Sequence, residues 1–243
     1  MVEKIERVLV LWIPDWPIHA HRSEHLADEP DATSRPLALI AQHRVVACSA
    51  EARQMGVLLG IREQEARSRC PELEIHPHDP ESDARGFAPV LTAIEETVPG
   101  VEPLRPGLCA MRARGPARYY GSEEAAAEAL LARVAELGFS DARAGVAAGR
   151  FAAEQATRAQ RTDPGVHAPA PGVRIVHSEH TSAFLAPLPV ARAAPPEFAE
   201  VLQRLGIRTL GALAALPEDA VRERFGSPGV NAWRRARGWG PAH

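Results

Sequence analysis

The sequence predicts an α/β body followed by an all-helical C-terminal domain. Three observations carry this. Short apolar, β-branched runs alternate with helical patterns up to about Val176. A Pro/Gly-rich stretch, Asp163–Gly172, interrupts that alternation. From Phe184 onward only short helical segments separated by prolines remain, so a boundary is placed between Val176 and Phe184.

The elements follow in order. Val8–Ile13 is a continuous apolar run, as expected of a strand buried on both faces, and Pro14 and Pro17 end it. Pro17–Glu29 reads as a helix with proline in its first turn. Pro36–Ile40 and Arg44–Cys48 read as two strands joined by a turn at Gln42-His43. Ala50–Gln54 and Arg62–Cys70 read as helices, stopped near Gly56 and by Pro71. Glu74–His76 is a short strand, and Asp83–Thr97 has helical spacing of Phe87, Val90, Leu91 and Ile94. Val101–Arg112 reads as extended and Gly115–Gly121 as a turn. Ser122–Leu137 is the strongest helix, with Ser122 as N-cap, acidic residues in the first turn and Gly138 just past its end. Ala142–Ala148 is a strand and Arg150–Gln160 a helix.

The composition is that of an ordinary globular protein: 243 residues, 45% hydrophobic, 24% charged and net charge −3. Nothing in the overall charge marks a nucleic-acid binder. From Val201 onward, however, seven arginines face three acids, a net +4. Three widely spaced cysteines, Cys48, Cys70 and Cys109, suit a reducing compartment, with Cys48 and Cys70 as small buried hydrophobes. The Val8–Ile13 run is too short for a signal segment, so a soluble, cytoplasmic protein is expected.

Leu202–Ala214 has the form of a helix-hairpin-helix. A helix ends at Gly206, a tight turn passes through Ile207 and Arg208, and Thr209 can cap the next helix ahead of Gly211. Such a turn aims backbone amides at a DNA phosphate without reading bases, and Arg204 and Arg208 would add positive charge. An ordinary αα-corner is the alternative. His19, His21 and His25, and His76-x-His78-Asp79, have spacings that a metal could use, but an exposed helix face is the simpler reading of the first three. The Arg222–Arg237 cluster reads equally as a solvated face or a DNA contact.

Val45–Val57, containing Glu51-Ala52-Arg53-Gln54-Met55-Gly56-Val57, resembles the fingers motif of Y-family translesion DNA polymerases. Ala66 to Leu73, with Cys70-Pro71-Glu72-Leu73, resembles a second motif of that family. Ala144–Ala147 with Arg150–Ala153 resembles its palm strand and helix, and Phe184–Val190 with the hairpin resembles its thumb. The resemblance implies a palm at 1–30 and 81–178 with a mixed sheet, small fingers at 31–80 and a helical thumb at 179–243, without the family's little finger.

The departures are as informative as the matches. Alignment of the family's metal-binding aspartates and glutamate falls on Trp12, Pro14, Leu108 and Cys109. Arg53 and Arg150 stand where the family contacts the triphosphate, and are candidate vestigial phosphate contacts. Nucleotidyl transfer uses two hard cations roughly 3.5–4 Å apart held by carboxylates. The expectation is therefore a chain that is not an enzyme, with no cofactor and no metal.

This combination resembles the ImuB group of Y-family homologues. The resemblance implies an adaptor in SOS-induced mutagenic translesion synthesis. Its partners would be an error-prone C-family polymerase (ImuC-like), a RecA-like accessory protein (ImuA-like), the sliding clamp and primer-template DNA. Most partner contacts would be made by a C-terminal region not present in these residues, which carry no Gln-x-x-Leu-Phe-like clamp peptide. Two alternatives stand beside it. One is a nucleotidyltransferase with unorthodox ligands such as Asp15 and Glu102; the other is a protein scaffold without DNA contact.

Overall fold

The N-terminal apolar run forms the strand expected of it, β1 (Arg7–Trp12). The computed structural model describes residues 5–27 and 34–239. In chain order there follow α1 (Trp16–His25), β2 (Leu37–Ala41), β3 (Arg44–Cys48), α2 (Ala50–Gln54), α3 (Glu63–Arg69), β4 (Glu74–Pro77) and α4 (Pro80–Thr97). Next come β5 (Glu102–Arg105), β6 (Leu108–Arg112), α5 (Arg114–Tyr120), α6 (Glu123–Glu136), β7 (Arg143–Ala148) and α7 (Arg150–Ala156). Then β8 (Val166–His167), β9 (Val173–Val176), α8 (Thr181–Leu185), α9 (Pro196–Arg204), α10 (Leu210–Ala214) and α11 (Glu218–Ala236) complete the chain.

Contacts divide the chain into two units. The first is Met1–Trp12 with Ala110–His243, and the second is Ile13–Cys109.

In the first unit the strands run β6-β1-β7-β9-β8, with β6 beginning in the other unit. β1 pairs antiparallel with β7, so that Trp12 lies opposite Arg143; β7 pairs parallel with β9, so that Gly145 lies opposite Arg174. Arg7 ties the start of β1 to its neighbours. Its guanidinium donates to both oxygens of Glu123, at 2.9 and 2.5 Å, and to the Val176 carbonyl. Gly145 and Ala147, which share one face of β7, are small because α7 lies directly on that face. A Cβ on Gly145 would sit 2.3 Å from the Ala153 carbonyl oxygen. Ala152, Ala153 and Ala156 are fully buried at this contact. Close approach of two backbones leaves room only for small side chains.

Ser122 caps α6 as expected, accepting from the Ala125 amide at 3.0 Å, and Gly138 takes φ +95° after the helix. Gly115–Gly121, expected as a turn, is instead the helix α5. Pro116 sits in its first turn, where no amide is needed, and Gly121 at φ +97° stops it. The same residue types that punctuate turns here punctuate a helix. The expected helix to Gln160 closes at Ala156, and the expected loop Asp163–Gly172 contains the two-residue strand β8.

In the second unit β3-β2-β4 form a separate three-stranded sheet. The expected turn joins β2 to β3, with Gln42 and His43 at φ +51° and +60°. One core cluster gathers Ala38, Val45, Cys48, Ala52, Val57, Ala66, Cys70 and Leu73. Seven of these eight lie in the two motifs singled out between Val45 and Leu73, so those motifs are legible largely because they are packing positions. Cys48 and Cys70 are buried there, as expected.

α4 begins three residues before the expected Asp83. Asp79 caps it by accepting from the Glu81 amide, and Pro80 opens its first turn. α1 starts at Trp16 and ends at His25, short of the expected Glu29; residues 28 and 29 lie outside the described residues. Among the described residues no helix is long and apolar enough to cross a membrane.

Candidate nucleic-acid interface and nucleotidyl-transfer positions

The four positions where the resemblance places metal carboxylates can be followed in each unit. In the second unit a hairpin of β5 and β6 turns at Gly107, whose φ of +78° and 2.4 Å clearance to the Trp16 Cβ admit only glycine. The Ile13 amide donates to the Gly107 carbonyl at 2.8 Å, which sets Pro14 beside the start of β6. Leu108 and Cys109 follow, both fully buried. In the first unit Trp12 ends β1 under two guanidiniums, Arg158 at 4.5 Å and Arg143 at 5.7 Å from its ring centre.

A pair of divalent cations needs hard oxygen donors. Trp12, Pro14 and Leu108 offer none from their side chains, and the Cys109 sulfur is soft. Among the described residues no group of three His, Cys, Asp or Glu could hold a metal ion. The residues at these positions do not fit a carboxylate-held metal pair.

Asp15, the nearest carboxylate in sequence, leaves the strand direction. It sits in a left-handed turn at φ +53° ahead of α1 and does not cap that helix with its side chain. Instead it takes both oxygens to Arg53, at 2.8 and 2.5 Å. Arg53 also donates to the Cys48 carbonyl at 2.7 Å. The Asp15 carboxylate raises the Arg53 guanidinium above its ordinary value, against partial burial. Thus the arginine read as a vestigial triphosphate contact spends its fork on Asp15. Arg150, the other such candidate, is exposed at the first turn of α7.

The hairpin forms as the sequence implies. α9 ends in a Schellman motif: the Ile207 amide reaches the Leu202 carbonyl at 2.9 Å and the Gly206 amide reaches Gln203 at 3.0 Å, with Gly206 at φ +82°. Thr209 caps α10 by accepting from the Ala212 amide at 3.2 Å. The amides of Leu210 and Gly211, however, already donate to the carbonyls of Leu188 and Ala186, at 2.8 and 3.0 Å. A Cβ on Gly211 would come within 3.0 Å of that Ala186 carbonyl. The side chains of Arg204 and Arg208, both exposed, are what this turn presents to solvent.

The Arg222–Arg237 cluster is largely engaged by its own surroundings. Arg222 meets Glu218 at 2.5 Å, Arg235 donates to the Ala193 carbonyl, and Arg237 lies between Trp233 and Trp239 at 4.8 and 4.9 Å.

The histidines differ from expectation. His21 is buried, not on an exposed face. Its ring lies 4.7 Å from that of His25 and 4.6 Å from that of His76, and its Nε2 has no hydrogen-bond partner. Burial, and then the neighbouring His76 and His25, push its pKa down from 6.5 to about 4. His78 pairs with Asp83 at 2.8 Å. The i, i+3 spacing of Ile18 and His21 was the available sign that His21 shares the inward stripe of α1.

This arrangement belongs to a class of proteins. The fold matches that of Y-family DNA polymerases. A Dbh ternary complex superposes with a TM-score of 0.69 over 95% of this chain and 66% of that one, at 15% identity. DinB from Sulfolobus solfataricus gives 0.70 over 95% and 67%, again at 15% identity. Residues 20–158 match the family described as IMS, impB/mucB/samB, and the chain belongs to that family. Its relatives include DNA polymerase IV of Pseudomonas entomophila (strain L48), 30% identical over 219 residues that make up 88% of this chain and 60% of that protein. Others are DNA polymerase IV of Ralstonia nicotianae, 29% identical over 88% and 59%, and of Moorella thermoacetica, 26% identical over 89% and 54%. The chain thus spans about 60% of the length of the curated relatives it matches.

These relatives correct one expectation. The chain was expected not to be an enzyme, because Trp12, Pro14, Leu108 and Cys109 supply no carboxylates. The relatives are named DNA polymerase IV, the name of an enzyme, so the four substitutions describe the donors at those positions and do not show a loss of activity.

Proposed function

We propose that this chain works in DNA-damage tolerance as the core of a Y-family polymerase homologue that holds primer-template DNA. In this reading the palm is 1–30 and 81–178, the fingers 31–80 and the thumb 179–243. The observation that carries it is the hairpin after α9, which presents the exposed arginines Arg204 and Arg208 on a turn fixed by a Schellman motif and a threonine cap. Such side chains contact phosphate and position a duplex without reading its sequence.

The finer part of the proposal is an adaptor role in SOS-induced translesion synthesis. The core would link DNA to an error-prone C-family polymerase (ImuC-like), a RecA-like accessory protein (ImuA-like) and the sliding clamp, within the cytoplasm. The resemblance to the ImuB group supports this.

A second reading is nucleotidyl transfer by the chain itself, favoured by the names of its relatives. Asp15 is the carboxylate it would draw on, and the Arg53 pair would have to open.

Primer-template binding and primer extension, measured on the same preparation, test both. Binding that weakens with salt, together with co-purification of the C-family polymerase, supports the adaptor role. Extension that Asp15→Ala abolishes supports the second reading. Absence of binding at low salt overturns the proposal.

A further inference from the structure

The face of the first unit's sheet that α7 covers carries a concentration of arginine. Trp12 and Arg143 are cross-strand partners, and cross-strand partners share a face. Gly145, two residues along β7, shares it too, and Arg174 on β9 lies opposite Gly145. The Cβ direction of Gly145 meets the Ala153 carbonyl, which identifies this as the α7 face. The segment leaving α7 then returns over it. Arg158 covers the Trp12 ring, and the Ala159 carbonyl accepts from Arg174 Nε at 3.1 Å. Arg161, three residues after Arg158, donates to the Ala168 carbonyl. Residues far apart in sequence are thus gathered by the β7–β9 pairing and the end of α7.

The charges gathered there are poorly balanced. Glu154 stands 3.4 Å from Arg158. Asp163, close in sequence to Arg161, already accepts from the Gln160 amide at 2.8 Å. Among the described residues no carboxylate lies within ion-pair distance of Arg143, Arg161 or Arg174. Arg174 feels the consequence: burial, and then the like charges of Arg161 and Arg143, lower its affinity for its proton, with no acid acting against them. Its fork is oriented by the carbonyls of Ala159 and Val173 and keeps further N–H groups for another acceptor. An oriented, acid-free group of guanidiniums is matched by an anion with several oxygens.

We propose that Arg143, Arg161 and Arg174, bordered by Trp12 and Arg158, form a site for the phosphate groups of a nucleotide or a polynucleotide. The site needs no metal, because the guanidiniums themselves supply the positive charge. It lies within one unit and is distinct from the hairpin at Arg204 and Arg208, so it stands or falls separately from the proposed primer-template contact.

The test uses the full chain in chelator at low salt, with inorganic tripolyphosphate as the probe and calorimetry as the readout. Tripolyphosphate binds the wild type, and affinity falls about tenfold for each guanidinium removed, in Arg143→Gln and in Arg143→Gln/Arg161→Gln. Arg118→Gln, an exposed arginine of the same unit outside the cluster, leaves affinity unchanged. Without ligand, Arg143→Gln melts close to the wild-type temperature, since the like charge it removes offsets the lost contact with the Trp12 ring and no hydrogen bond is broken. With tripolyphosphate, the rise in Tm seen in the wild type shrinks in the variant. Competition then identifies the source of the phosphate: displacement by a nucleoside triphosphate at lower concentration than by an oligothymidylate assigns a nucleotide, and the reverse order assigns a nucleic-acid backbone. Equal affinity in the wild type and the double variant, or no tripolyphosphate binding, overturns the site.

Discussion

The two units treat arginine differently. In the second unit Arg22, Arg35, Arg53, Arg67, Arg69 and Arg85 each meet a carboxylate, at distances from 2.5 to 3.4 Å. In the first unit Arg143, Arg161 and Arg174 have none among the described residues, and Arg204 stands 3.7 Å from Glu200 with 81% of its side chain exposed. Arginine in the second unit mostly neutralises acids. In the first unit Arg7, Arg112, Arg133, Arg158 and Arg222 do the same, and Arg143, Arg161 and Arg174 stand apart from that pattern. Total charge hides this, because a net −3 describes neither unit. The same residue type neutralises acids in one place and, in the proposed site, leaves capacity for phosphate in another.

The largest effect should come from breaking the scaffold that gathers the first unit's arginines. Gly145→Ala forces a methyl into the Ala153 carbonyl, and should cost about 3 kcal/mol in denaturant unfolding as α7 is pushed off β7. A loss under about 1 kcal/mol would mean that α7 yields easily and does not fix the arginine geometry.

Charge reversal at the hairpin comes next. Arg208→Glu should weaken primer-template affinity by about tenfold or more at low salt, with the same factor for unrelated DNA sequences. A sequence-dependent loss would point to base contacts instead.

His21 sharpens the comparison from the side of the second unit, where a buried base is held neutral. The unfolded chain takes up the proton near pH 6.5, whereas the folded chain resists until about pH 4. Stability is therefore fully present above about pH 6.5 and declines as pH falls toward 4. His21→Leu should flatten that decline, a relative gain on the order of 1 kcal/mol near pH 5. Melting temperatures across this range report it, and parallel profiles for the two proteins would contradict it.

The smallest effect belongs to the Asp15–Arg53 pair. It is bidentate, but its side chains are 30% and 42% exposed. Asp15→Ala should change stability by under about 1 kcal/mol. It also releases Arg53, so a gain in nucleotide affinity in this variant would show that the pair holds a phosphate-binding arginine in reserve.

Much of the fold was legible because local chemistry and tertiary outcome agree. Ser122 and Gly138 bracket α6, Gln42-His43 turns the β2–β3 hairpin, and Gly206 with Thr209 builds the thumb turn. The misses share a physical cause. Gly115–Gly121 reads as a turn because Pro116 and Gly121 can serve either a turn or the two ends of a helix, and only packing decides. His21 reads as exposed because histidine is polar, although its spacing from Ile18 points inward. The arginine cluster was not legible: Arg143, Arg158, Arg161 and Arg174 come together only through a parallel strand pairing that no local pattern encodes. The Asp15–Arg53 pair was hidden for a similar reason, since it depends on a left-handed turn that reverses the aspartate away from its strand.

The central claim is that the first unit's hairpin, and not the arginine fork of the second unit, faces DNA phosphate. The salt dependence of primer-template affinity tests it most directly, compared among wild type, Arg208→Gln and Arg53→Gln. The expected result is a linear fall of log affinity with log salt, with a slope smaller by about one in Arg208→Gln and unchanged in Arg53→Gln. A slope altered by Arg53→Gln and untouched by Arg208→Gln would contradict it.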